Sequence, residues 1–287
     1  MRKISIIAAF IIAGNYCTAQ TIKQTQVSAK PITLGTAYEF KSAILGENRT
    51  LNFYLPEGYS STDSTKYAVI YLLDGGIDED FIHVSGLVQF NTFEWVNRMP
   101  KSIVVGIANN DRKKDFTFPT AIRAYKDIIP SSGGSAKFIS FIENEVQPFV
   151  RATVNTTGER TLIGESLGGL LATEILFTKP HLFNKYIIIS PSLWWDNGSL
   201  LSRSTQEIGQ LKQRTDVYIG VGKEGLTPGN TPRVMEVDAN LLKDKLDSCS
   251  NKHLHTYFDY LPDENHATIG HHALFNAFRG IYSTGKK

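Results

Sequence analysis

One serine stands between glycines in Gly164-Glu165-Ser166-Leu167-Gly168, and another glycine, Gly169, follows directly. The spacing is G-x-S-x-G. An apolar run, Thr161-Leu162-Ile163, precedes it, and a helix-forming run, LLATEILF, comes after. This predicts a strand that turns at once into a helix, with Ser166 at the apex in strained backbone geometry. A hydroxyl at such an apex stands clear of the chain. The helix N-terminus adds partial positive charge where an oxyanion would form. The chemistry implied is nucleophilic attack on an acyl carbon.

A serine hydroxyl is a poor nucleophile near neutral pH and needs a base. Of the seven histidines, His266 lies in the loop PDENHATIG, after the last apolar strand and before the last helix. His271 and His272 open that helix and are the alternatives. His253 and His255 alternate along a strand without further residues at metal-ligand spacing, so no metal is expected. The acid should fall between serine and histidine, near a strand's C-terminal end. Glu224 directly follows the strand VYIGVG and is the choice. Glu236, Asp238, Asp263, Glu264 and a Ser–His pair without an acid stay open.

The same strand carries Gly220-Val221-Gly222-Lys223-Glu224-Gly225, a G-x-G-x-x-G match. A dinucleotide site needs a helix to begin there, whereas Pro228, Gly229 and Pro232 announce a loop. No cofactor is expected. Two backbone N–H groups should receive an oxyanion: that of Leu167, after the serine, and that of Gly76, in Asp74-Gly75-Gly76 after the strand YAVIYLL. Trp194 and Trp195 follow another strand end, where an acyl or aryl group could stack on them. Packing in the core is the competing reading.

These residues need a frame. Strand patterns cover residues 38–45, 50–55, 67–73, 102–108, 161–163, 186–190, 217–221 and 255–261. Helical patterns cover 80–97, 137–150, 167–178, 201–213, 232–247 and 273–282. The alternation predicts an α/β fold: a mostly parallel central sheet, helices on both faces, and an antiparallel N-terminal edge. Residues 109–134, rich in charge, proline and glycine, form a long connection of the functional kind.

The N-terminus reads separately. Arg2 and Lys3, then apolar residues 4–13, then Cys17-Thr18-Ala19 make a secretory signal over residues 1–19. Lipid attachment at Cys17 is the alternative. Residues 20–36 read as a flexible mature N-terminus and 37–287 as one domain. Removing residues 1–19 takes the net charge of the 287-residue chain from +2 to zero. No basic patch calls for nucleic acid or an anionic membrane surface. Cys249 would then be the sole thiol, so stability must come from packing.

With GESLGG, YLLDGG and ENHATIG on the page, the chain resembles the esterase D-like "putative esterase" family of α/β hydrolases. The resemblance extends over residues 38–282 and includes VVGIANNDRKKDFTFPT and SPSLWW. It implies an α/β-hydrolase fold, Ser166 as nucleophile, His266 as base, and Gly76 and Leu167 as oxyanion donors. The expectation is a secreted or periplasmic serine esterase. Its substrate would be a small-molecule or glycan ester of siderophore or acylated-polysaccharide type, with no membrane partner after signal cleavage. An acyltransferase using the same residues, or a non-catalytic binding protein on the same fold, are the alternatives.

Overall fold

The computed structural model describes residues 28–228 and 232–282. The expected signal over residues 1–19 lies outside them, as do residues 20–27 of the expected flexible N-terminus. Residues 28–33 have no regular secondary structure, and a compact unit begins at Leu34.

Among the described residues, eight strands build one sheet. They are β1 (Thr36–Lys41), β2 (Asn48–Tyr54), β3 (Tyr67–Leu72), β4 (Ser102–Ile107), β5 (Thr156–Glu165), β6 (Lys185–Ile189), β7 (Thr215–Gly222) and β8 (Leu254–Leu261). Their order across the sheet is β1-β2-β4-β3-β5-β6-β7-β8. The β1–β2 and β2–β4 pairings are antiparallel, and all others are parallel. The antiparallel edge is therefore real and is followed by a doubly covered parallel sheet. Apolar strands such as YAVIYL send alternate side chains to opposite faces. Val69 and Tyr71 join a core with Leu170, Ile175, Leu242 and Phe138. Ile70 and Leu72 join a second core with Val84, Val88, Leu274 and Phe278.

The helices are α1 (Phe81–Thr92), α2 (Arg112–Asp115), α3 (Arg123–Ile128), α4 (Ser135–Phe141), α5 (Gln147–Thr153), α6 (Leu167–Thr178), α7 (Gln206–Gly209), α8 (Met235–Asp247) and α9 (Ile269–Ile281). None among the described residues is long and apolar enough to cross a membrane. Several boundaries differ from the sequence pattern. The helix expected to reach residue 97 leaves helical geometry at Phe93 (φ −56°, ψ 141°). There the Phe93 and Trp95 rings stack on each other at 4.5 Å instead. The stripe over 137–150 is carried by α4 and α5 with a π-helical turn between them, Ile142–Val146. The helix expected over 201–213 shrinks to α7, because residues 203–207 offer no apolar side chain to bury.

The long 109–134 connection is tied down by a buried ion pair. Arg49 of β2 meets Asp115 at 2.8 Å and donates to the Ala108 carbonyl at 3.1 Å. Its guanidinium lies 5.1 Å and 5.5 Å from the Phe138 and Phe141 ring centres. Pairing and hydrogen bonding on this scale offset the cost of taking the charge out of water.

Candidate active site

A single residue separates β5 from α6, and it is Ser166. Its φ of 59° and ψ of −118° are rare for any side chain larger than hydrogen. The neighbouring strand holds the turn. Ser166 N–H donates to the Ile189 carbonyl at 3.0 Å, and the Ser166 carbonyl accepts from Leu170 N–H at 3.0 Å and Ser192 N–H at 2.9 Å. The glycines have a steric reason. A Cβ at Gly164 would strike the Gly168 carbonyl, and one at Gly169 would approach the Pro191 Cα to 2.9 Å.

His266, in the loop after β8, places Nε2 at 3.0 Å from Ser166 Oγ. Its Nδ1 lies 2.6 Å from Oε2 of Glu224, in the loop after β7. The other Glu224 oxygen accepts the Ser190 hydroxyl and the Gly222 N–H, the latter at 3.2 Å. The Glu224 side chain is 3 % exposed and that of His266 is 47 % exposed. Burial alone would push Glu224 upward, but hydrogen bonds from His266 and Ser190 outweigh it and hold its pKa below the usual range. The same bond to Glu224 lifts His266 above the ordinary imidazole value against the opposing effect of burial. A hydroxyl, an imidazole and a carboxylate in this series can take a proton from an attacking oxygen and return it to a leaving one.

The alternative residues are engaged elsewhere. His271 Nδ1 lies 3.0 Å from His83 Nε2, and His272 Nδ1 lies 2.6 Å from Glu264. Asp238 pairs with Arg233. Asp263 is exposed. Glu236 accepts the backbone N–H groups of Glu224 (2.9 Å) and Gly225 (3.0 Å), so it grips the loop that carries Glu224. Among the described residues, no group of three or more His, Cys, Asp or Glu could hold a metal ion.

Leu167 is the first residue of α6, so no carbonyl of its own helix can accept its N–H. The Gly76 N–H donates to Oε2 of Glu79 at 2.6 Å, while that of Gly75 serves the Ile107 carbonyl. The loop turns at Asp74, whose φ is 55°. Arg112 grips Asp74 with two bonds, 2.6 Å and 2.9 Å, and reaches the Glu165 carbonyl at 3.3 Å. Asn109 adds a third bond to Asp74 at 2.6 Å. Arg112 therefore connects the Gly76 loop to the residue before Ser166.

The tryptophans part ways. Trp195 is 0 % exposed, and its indole N–H donates to the Phe118 carbonyl at 2.9 Å. It presents no surface to a ligand. Trp194 is 7 % exposed and stacks on Tyr125.

Sequence reasoning did not single out Arg112, Ser190, Ser192, Glu79 or Glu165. Ser192 Oγ is 3.3 Å from Ser166 Oγ. Glu165 is pushed up to about 7, chiefly by burial and further by Asp80, Asp74 and Glu224. Arg112 and Ser190 sit inside segments quoted for resemblance, NNDRKKD and SPSLWW. Glu165 fills a variable position of G-x-S-x-G, which says nothing of its charge state, and Glu79 carried no sequence signal.

The family model described as "Putative esterase" matches residues 42–273. The ferri-bacillibactin esterase BesA of Bacillus subtilis is 27% identical over 239 residues, covering 78% of this chain and 81% of BesA. A siderophore enterobactin esterase of Emericella nidulans is 43% identical over 79 residues, 26% of each chain. The solved structure of an IroE-like serine hydrolase from Shewanella oneidensis superposes with a TM-score of 0.77. It is 32% identical and covers 86% of this chain and 80% of its own. The sheet order and these matches together make the fold that of an α/β hydrolase and the protein an esterase-type hydrolase. The chain belongs to the "Putative esterase" family.

Proposed function

We propose that the protein is a serine carboxylic-ester hydrolase that works through an acyl-enzyme, with Ser166 as nucleophile, His266 as base and Glu224 as acid. The observation that carries this is the hydrogen-bonded series Glu224–His266–Ser166, 2.6 Å and 3.0 Å between its members. Ser166 Oγ attacks the ester carbon as its proton passes to His266 Nε2. The tetrahedral oxyanion is received by the N–H groups of Leu167 and Gly76. Glu224 stabilises the imidazolium that results. His266 then gives the proton to the departing alcohol, leaving the acyl group on Ser166. Water, deprotonated by the same nitrogen, releases the acid.

The similarity to BesA and to the enterobactin esterase favours a siderophore-type ester as substrate. We further infer export, with cleavage after Ala19.

The test is a fluorophosphonate label and an ester panel that includes a ferric tri-ester siderophore, applied to wild type and Ser166→Ala. An adduct on Ser166, and turnover lost in the variant while its fold persists, is the expected result. Undiminished turnover in Ser166→Ala would overturn the assignment.

A further inference from the structure

The N–H assigned to the oxyanion is already occupied by a carboxylate of the same chain. Glu79 Oε2 accepts from Gly76 N–H at 2.6 Å, within the distance a carbonyl oxygen would take. Its other oxygen accepts Asn109 Nδ2 at 2.7 Å, and Asn109 is itself anchored to Asp74 at 2.6 Å. Asn109 Oδ1 is buried without a partner, so this amide is committed to presenting its N–H groups to the two acids. Glu79 is exposed and Asp78 beside it is exposed too. A substrate carbonyl must displace Oε2 from Gly76. The Asn109 bond at Oε1 then keeps the carboxylate beside Gly76.

The surroundings do not cancel that charge. Asp80, Asp74 and Glu224 act on Glu165, the residue before Ser166, and Glu79 acts on Asp80 and on Arg112, whose guanidinium is paired with Asp74. Burial first, then Asp74 and Glu79, lift Asp80 above its ordinary value. Burial opposes the charge on Arg112, yet Asp74 and then Glu79 and Glu165 hold it firmly protonated.

We propose that Glu79 is a specificity-determining residue: it occupies the Gly76 N–H in the free protein, and its charge selects neutral or cationic esters over polyanionic ones. This inference rests on the serine-esterase reading. The plain structural alternative is that Glu79 only closes a turn, since its own N–H donates to the Gly76 carbonyl at 3.1 Å, as in a capping box.

The test uses the full mature chain and three 4-nitrophenyl esters of matched acyl length: butyrate, hemisuccinate and 4-aminobutyrate. Wild type should prefer butyrate and 4-aminobutyrate to hemisuccinate in kcat/KM. Glu79→Gln should raise the hemisuccinate-to-butyrate ratio about threefold to tenfold and lower the ratio for 4-aminobutyrate, as expected for one charge at a partly solvated site. Salt provides a readout without any variant: the wild-type hemisuccinate-to-butyrate ratio should rise between 20 mM and about 500 mM sodium chloride. Ratios that stay within twofold in both experiments, with Ser166 labelled and butyrate turned over, overturn the Glu79 inference alone. Absence of both label and turnover in wild type strikes the esterase reading instead.

Discussion

The Glu236 carboxylate, in the first turn of α8, holds the backbone N–H of Glu224 at 2.9 Å, so an acid of the helix positions the acid of the β7–α8 loop. Glu236→Ala removes that acceptor and frees the loop. Activity should fall about tenfold, with KM little changed, because the proposed acid loses its fixed approach to His266. Glu236→Gln keeps an acceptor oxygen and should restore most of the loss. Steady-state kinetics on the two variants check this.

The proposed base must be neutral to work, and its pKa is raised. The acid limb of the kcat/KM profile should therefore lie above the ordinary imidazole value of about 6.5. Glu224→Gln should move that limb to lower pH and reduce kcat by about 10²- to 10⁴-fold. The stability signs follow. The raised His266 contributes stability that is full below its unfolded value and is lost as pH rises through the folded value. The depressed Glu224 contributes stability present above its unfolded value and lost as pH falls through the folded one. Between the two the pair is intact, so Glu224→Gln should cost most stability at mildly acidic pH and less at pH 9.

Glu165 works in the opposite direction. Its pKa of about 7 lies above that of an unfolded glutamate, so its stability contribution is full below about 4.5 and lost as pH rises through 7. Glu165→Gln should leave thermal stability unchanged near pH 4 and raise it at pH 8 by about 1–3 kcal/mol. Solvent reaching the half-buried carboxylate sets the lower bound. Calorimetry at the two pH values reads this directly.

The backbone of Ser166 is strained. Ser166→Ala keeps a Cβ at φ 59°, whereas Ser166→Gly relieves it. Both should be inactive, and the glycine variant should unfold about 1 kcal/mol later than the alanine variant in denaturant titrations.

How much of this was legible follows from what each residue signals locally. G-x-S-x-G specifies a turn by sterics acting within six residues, and that turn is present. The parallel sheet was legible because unbroken apolar strands are stable only when covered on both faces. Where boundaries failed, distant contacts decided. The last helix starts at Ile269 instead of 273, taking in Gly270, where a Cβ would stand 2.7 Å from the Glu165 carboxylate. Glu79 and Arg112 were silent for the same reason. Arg112 meets Asp74 and Glu165, and Glu79 meets Asn109, across tens of residues, and no periodicity records such meetings.

The pairing of β3 with β5 is a seam between two kinds of work. Every member of the proposed proton relay, with Ser190, hangs on β5 to β8, while Gly76 and its Arg112 brace hang on β3 and β4. The seam is also irregular, with a shift between Tyr67 and Val69. Breathing along it would leave the imidazole able to shuttle hydrogen yet strand the nascent negative oxygen with half its support. Under the proposed mechanism, rigidity across this one interstrand boundary would keep the two oxyanion donors in place relative to each other.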